Sequence, residues 1–347
     1  MKVLHLHFGL EGGAERFFVT LAQALAERGL EQRFIIRPDR VWGNEIRAIG
    51  PTIEDHGRRL TLAGNLLQLR VRWLCARWKP DVILAWKPRG ARYVPNVRGA
   101  IKITRFGDFP KHLRHYRHMD LLVGNLPGIA DRIRKLGWTG PMLTISNFPK
   151  PVVPRPVKRA DFTTPDDAFL IATGGRFVRR KGLDTAVRAA AAVPGAWLWL
   201  IGEGEERAAL ESLAREVGIH DRTRFIGWQD EPAHFVAAAD AFVMPSRHEP
   251  LGNFLLEAWQ LGVPSVTTAT EGPRWFMRDG VDGLMVPIDD WQGMAQAFEV
   301  IRTDPARRAA FVANARERLD QMFSRDGIVD AYLRIFRGDF TDPSASA

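Results

Sequence analysis

Twice along this chain, short apolar runs alternate with stretches that carry a helical apolar stripe, and a proline-rich segment separates the two series. Parallel strands require long crossovers, usually helices, so this alternation predicts doubly wound parallel sheets and excludes bundles, sandwiches and barrels of antiparallel hairpins. In the first series, residues 3–8, 33–37, 81–86, 101–106, 121–125 and 142–146 read as strands, and 14–28 and 64–78 as helices. Phe18, Leu21, Ala22 and Leu25 fall on one face of the 14–28 helix, and Gly29 closes it. The break is 147–156, where Pro149, Pro151, Pro154 and Pro156 leave little regular potential. The second series places strands at 169–173, 197–201, 224–226, 241–245, 265–268 and 284–286. Residues 324–338 read as a last amphipathic helix and 341–347 as a frayed tail. The expected organisation is a Rossmann-like domain over 1–150, a second over 157–323, and a terminal helix and tail over 324–347. A length of 347 residues suits two domains.

Composition narrows the function classes. At 46% hydrophobic and 26% charged residues the chain is neither disordered nor collagen-like. No apolar run is long enough to span a bilayer, and the N-terminal residues are too few and too polar for a signal peptide. The single Cys75 excludes an internal disulfide and a cysteine-built zinc site. A cytoplasmic protein is the expectation. Charge is distributed unevenly: residues 1–150 hold 26 Lys and Arg against 12 Asp and Glu, whereas 151–347 hold 23 against 28. A +14 half beside a −5 half implies that one half faces a polyanion, unless the surplus is only a solvated surface. No nucleic-acid-binding motif accompanies the basic half, so an anionic membrane is preferred.

Three loops that follow strands can carry chemistry. Gly12 and Gly13 open the first helix, where backbone can approach a ligand and a helix N-terminus favours an anion; the spacing is not that of a dinucleotide fingerprint. Arg176, Arg179, Arg180 and Lys181 stand within six residues after the 169–173 strand and suit a diphosphate, or form a solvated basic turn. Glu249 and Glu257 flank Leu251, Gly252, Asn253 and Phe254. On one continuous helix the two carboxylates would lie about 12 Å apart on nearly one face. With Glu249 in a preceding loop, they would line one elongated ligand instead.

Together with 200–204, 258–264, 270–273 and 279–287, these segments resemble the retaining GT-B glycosyltransferases of family 4, the glycosyl transferases group 1, including lipopolysaccharide core enzymes. The resemblance covers nearly the whole chain and is strongest from 169 to 287. It implies two Rossmann-like domains facing across a cleft, with the final helix crossing back to the first. It implies that Arg176 and Lys181 hold a donor diphosphate, Glu257 the ribose hydroxyls, and Glu249 the transferred sugar. Leu251, Gly252, Asn253 and Phe254 would offer backbone amides, Gly12 and Gly13 would close over the phosphates, and Trp228 would meet the nucleobase. Many members place a His-Asp pair after the strand that here is 101–106. This chain has Gly107-Asp108 there, so Asp108 is assigned the sugar contact. His112, His115 and His118 fall in 111–118, a stretch expected to be a basic helix, and receive no catalytic role.

No Asp-x-Asp motif occurs, so no metal and no cofactor is expected; cations and backbone dipoles would meet the leaving-group charge. The expected mechanism is departure and attack on the same face within an ion pair, and the preferred function is transfer of a sugar from a UDP- or GDP-linked donor to a lipid-linked glycan. Arg58, Arg59, Arg70, Arg72, Arg77 and Lys79, interleaved with Leu66, Leu67, Leu69, Val71, Trp73, Leu74 and Trp78, would dock the first domain on an anionic membrane, or form a packing helix with a wet basic face. Residues 86–92 read as an acceptor loop. A GT-B epimerase or phosphorylase, or a silent glycan- or membrane-binding module, is the alternative.

Overall fold

The computed structural model describes residues 1–10, 12–57 and 62–341, with only the backbone of Leu62 and Ala63. Glu11, Arg58, Arg59 and the tail residues 342–347 lie outside the described residues. The chain divides into two compact units, one of residues 1–148 with 325–347 and one of 149–324.

In the first unit the elements are β1 (Lys2–His7), α1 (Gly13–Glu27), β2 (Glu31–Ile36), α2 (Gly43–Ile49), β3 (Thr52–Glu54), α3 (Leu62–Trp78), β4 (Val82–Trp86), α4 (Lys87–Ala91), β5 (Ile101–Phe106), β6 (Leu121–Gly124), α5 (Pro127–Lys135) and β7 (Met142–Thr144). The seven strands are all parallel, in the order β3-β2-β1-β4-β5-β6-β7. The second unit holds β8 (Leu170–Gly174), α6 (Leu183–Ala191), β9 (Trp197–Ile201), α7 (Arg207–Glu216), β10 (Thr223–Gly227), α8 (Ala233–Val236), β11 (Ala241–Met244), α9 (Asn253–Gln260), β12 (Ser265–Thr268), α10 (Glu271–Phe276), β13 (Leu284–Val286), α11 (Trp291–Thr303) and α12 (Pro305–Phe323). Its six parallel strands run β10-β9-β8-β11-β12-β13. Strand order reverses between β1 and β4 in one sheet and between β8 and β11 in the other. Loops splay apart at such switch points and leave a crevice beyond the strand ends.

Burial explains why these segments form these elements. The central strands β1, β4, β8 and β9 are buried on both faces, hence their apolar runs. Phe18, Leu21, Ala22 and Leu25 of α1 pack into the first core with Phe34, Ile36, Val82 and Leu84. Each side chain of this kind contributes about 1.5–3 kcal/mol when fully buried. The last helix, α13 (Arg325–Phe336), joins that core through Ile328, Val329, Tyr332, Ile335 and Phe336, and its Asp326 and Asp330 both receive Arg28. In the second unit one cluster lies under α6, α7 and α11 and another under α8, α9, α10 and α12, one on each face of the sheet.

The segment 111–118 is not the basic helix that its spacing predicts but a succession of tight turns, in which Tyr116 N–H donates to Leu113 and Met119 N–H to Tyr116. Tyr116 is fully buried with its ring 4.9 Å from Phe106, and this anchor winds the backbone down onto the end of β5. His118 Nε2 meets the Val94 carbonyl at 3.1 Å, and burial lowers its pKa. His112, His115 and His118 are all part-buried, and His112 meets His115 edge to face.

Candidate active site

At the switch point of the second sheet, the loop after β8 carries Arg176 and Lys181. It leaves the strand through Gly174 and Gly175, is anchored by fully buried Phe177, and closes in a 3₁₀ turn, Arg179–Lys181, ahead of α6. Phe177 N–H donates to the Glu203 carbonyl at 2.8 Å, stitching this loop to the one after β9. There the 200–204 motif shows its purpose: a Cβ on Gly202 would stand 2.0 Å from the Gly175 oxygen, and one on Gly204 2.4 Å from the Phe177 oxygen. Both glycines are backbone spacers that let two loops touch. Arg176 is exposed to solvent, while Lys181 is half-buried.

The loop after β11 brings Glu249 to Lys181. Nζ of Lys181 lies 2.5 Å from Glu249 Oε2, which also accepts from Ser246 Oγ at 3.2 Å, and the Glu249 carbonyl accepts from Gly272 N–H at 3.0 Å. Glu249 therefore sits in the loop and Glu257 inside α9, deciding between the two arrangements that their spacing allows. Gly252, at φ +96, caps α9; a Cβ there would meet Met244 at 2.9 Å. Leu251 is buried, so it can offer a ligand only backbone groups, and half-buried Phe254 packs on Phe242 at 5.1 Å. With Asn253 they form the entry to a helix N-terminus, where N–H groups and the dipole favour an anion. Glu257 is half-buried on α9, and Trp228, just after β10, is 46% exposed.

Sequence reasoning passed over Arg247. Its guanidinium bonds Asp184, Asp289 and the Arg179 carbonyl, each at 2.7 Å, and its N–H donates to Arg180. This clamp fastens the Lys181 turn to the Glu249 loop, and the Asp184 hydrogen bond raises the Arg247 pKa. Its only signal in the sequence is proximity to Glu249, which does not distinguish it from a surface arginine.

In the first unit Gly12, at φ +144, precedes α1, and Gly13 is its first residue. Asp108 is exposed beyond β5, with Oδ1 accepting from Phe109 N–H at 2.7 Å. Beneath these loops lies a polar group that sequence reasoning did not assign. Buried Glu15 pairs with Lys87, the first residue of α4, and stands 3.9 Å from His7 Nε2. Gly9 makes room for this group, because a Cβ there would displace the Glu15 carboxylate. Gly9 N–H donates to His7 Nδ1 at 2.9 Å, so the neutral ring carries its proton on Nε2.

Burial drives His5 down to about 3 and His7 well below its usual value, His7 helped by the charge of Lys87. Both are depressed relative to about 6.5 in the unfolded chain, so the unfolded state binds more protons throughout that window. Their contribution is complete above pH 6.5 and is lost as pH falls towards 3, at about 1.4 kcal/mol per pH unit for each histidine. Urea unfolding at pH 7, 6 and 5 is expected to show this decline, and His5→Gln to remove about half of it. A stability unchanged between pH 7 and 5 would contradict the assignment.

The model for glycosyl transferases group 1 matches residues 154–318. The lipopolysaccharide core biosynthesis glycosyltransferase LpsE of Rhizobium meliloti is 50% identical over 335 residues, spanning 96% of this chain and 98% of that one. The chain is a group 1 glycosyltransferase. LpsD of the same organism is 45% identical over 97% of this chain and 98% of its own. Among solved structures, Anabaena HepE in complex with UDP-glucose matches this glycosyltransferase with a TM-score of 0.82 at 19% identity, over 97% of this chain and 100% of that one. The two Rossmann-like parallel-sheet units are those of the GT-B fold. In this glycosyltransferase, the matched segment contains every donor-site candidate of the second unit.

Proposed function

We propose that this glycosyltransferase moves a sugar, with retention of configuration, from a UDP- or GDP-linked donor to a phosphorylated, lipid-linked glycan of the lipopolysaccharide core. The observation that carries this reading is the meeting of Lys181, Glu249 and the N-terminus of α9 at the β8/β11 switch point. It supplies a cation and oriented backbone dipoles where a leaving diphosphate gathers charge. Lys181 turns from Glu249 to the phosphate, Arg176 adds a second cation, and Glu249 accepts from a sugar hydroxyl. Glu257 accepts from the ribose and Trp228 stacks on the base. The acceptor oxygen attacks the face that the diphosphate leaves and passes its proton to the departing phosphate. The core-type acceptor is supported by the names of LpsE and LpsD, and the nucleotide by the ligand of HepE.

The test is mass spectrometry of products formed from UDP- and GDP-sugars with membrane extract of cells lacking this enzyme. A single sugar added to lipid-linked glycan, unaffected by EDTA, is the expected result. Loss of activity in EDTA and rescue by manganese would overturn the metal-independent mechanism.

We also propose that the enzyme works at the cytoplasmic face of an anionic membrane, docked through α3. Leu67, Val71, Leu74 and Trp78 are the buried stripe of this helix. Leu66, Leu69 and Trp73 are each more than half exposed, with Arg70, Arg72 and Arg77 among them. No helix of the described residues is long and apolar enough to cross a membrane. Each basic residue at an anionic surface contributes about 1 kcal/mol, screened by salt, while the apolar side chains resist salt. Co-sedimentation with anionic vesicles is expected, weakened by salt and by Arg70→Glu with Trp73→Ser. Equal binding to neutral vesicles, or none to either, would leave α3 an ordinary solvated face.

A further inference from the structure

The first unit holds a buried cation that no carboxylate of the described residues pairs with. Arg105, on β5, is 1% exposed. Its Nε donates to the Tyr332 hydroxyl at 2.9 Å and its Nη2 to Asn147 Oδ1, and the guanidinium lies 4.5 Å from the Phe17 ring centroid and 5.3 Å from that of Trp86. All these partners are neutral, and among the described residues no carboxylate lies within ion-pairing distance of Arg105. A desolvated charge in such company is costly unless an opposite charge meets it.

A second observation shows where that charge can come from. Nη1 makes no hydrogen bond among the described residues. It lies under Gly107: a Cβ built there would stand 3.6 Å from Nη1, 3.5 Å from the Ala14 Cβ, and within 4 Å of nothing else among the described residues. Gly107 does not have a positive φ, so the backbone does not require glycine. The missing side chain leaves the space beside Nη1 flanked by the Ala14 methyl. At this position the resemblance implies a histidine; here glycine sets no side chain over a cation one layer deeper.

We propose that Arg105 binds a phosphoryl oxyanion of a substrate, reached over Gly107, and that glycine at 107 keeps this approach open. The guanidinium is suited to this chemistry, since it stays charged when desolvated and its N–H fork matches a phosphate. The proposal rests on the donor and acceptor reading above, which offers two sources of the group: the donor diphosphate and a phosphate on the acceptor glycan.

Gly107→Ala is the decisive variant, because its methyl enters at ordinary van der Waals distances and leaves the Arg105 bonds to Tyr332 and Asn147 intact. It is expected to keep the wild-type urea midpoint. If the donor is the source, it raises the Kd of UDP or GDP by calorimetry about 5–20-fold, less than the full loss of a charge-assisted hydrogen bond, with no change for a nucleoside. If the acceptor is the source, the KM rises for phosphorylated lipooligosaccharide and not for the same glycan dephosphorylated. Arg105→Met gives a larger change in the same arm. No change in either arm, or an equal change with phosphate-free ligands, overturns the proposal. Lys181→Ala measured alongside separates the two readings: if it weakens UDP or GDP binding while Gly107→Ala moves nothing, the donor site stands and the Arg105 assignment falls. If Lys181→Ala also leaves binding unchanged, the donor-site reading falls on its own evidence.

Discussion

Lys181→Ala is expected to weaken UDP or GDP binding by about 1.5–3 kcal/mol, the range for a hydrogen bond to a charged group. The argument starts from what Lys181 does without ligand. Its ammonium is 2.5 Å from Glu249 in a half-buried pair, so binding a diphosphate exchanges one anion for another. Glu249→Gln removes the competing anion. It is therefore expected to leave nucleoside-diphosphate affinity unchanged or tighter, while lowering turnover about a hundredfold through loss of a charge-assisted contact to the sugar. Calorimetry with UDP and GDP and steady-state kinetics measure the two effects separately. The double variant decides between mechanisms. If Lys181 only neutralises Glu249, removing both restores nucleotide binding to the wild-type level, and the phosphate assignment fails. If Lys181 holds the diphosphate, the double variant binds as weakly as Lys181→Ala.

Gly182→Ala is expected to cost about 2–5 kcal/mol of stability, combining about 1–2 kcal/mol for a left-handed backbone with about 1–3 kcal/mol of overpacking. Gly182 has φ +61, and a Cβ on it would stand 2.0 Å from the Pro245 carbonyl oxygen. The neighbour is backbone and cannot swing aside as a side chain would. Gly280, at φ +73 with nothing within 4 Å, is the matched control, and Gly280→Ala is expected to lose only the backbone part. The measurement is the urea midpoint of the three proteins. Equal losses at both positions would show that the close approach to Pro245 has no energetic weight. Pro245 precedes Ser246, which bonds Glu249, so Gly182→Ala is also expected to reduce turnover in whatever fraction remains folded.

How far the site was legible in the sequence differs residue by residue. The strands were plain because a parallel sheet buried on both faces demands unbroken apolar runs, and β4 and β9 are nearly nothing else. The glycines at 202, 204 and 252 stood out as motif members, but their purpose lies in backbone atoms more than twenty residues away in the cases of 202 and 204. The segment 111–118 was misread because its basic spacing carries no record of the buried Tyr116 that winds it into turns. Arg247 and Arg105 were passed over for a related reason. An arginine in a sequence is an exposed surface residue by default, and only its neighbours show that it is a clamp or a buried cation.

The order of apolar runs and breaks by itself determined two doubly wound parallel sheets, because periodicity and loop chemistry are local properties written residue by residue. The same holds for the placement of Arg176 and Lys181 in a loop beyond a strand end. Only the tertiary structure decided that Glu249 meets Lys181, that Glu15 lies buried against Lys87, and that buried Arg105 lies under Gly107. Each of these pairings except the last joins residues 68 or 72 positions apart in the chain. Whether two such side chains touch depends on strand order and crossover geometry, and no local pattern encodes that.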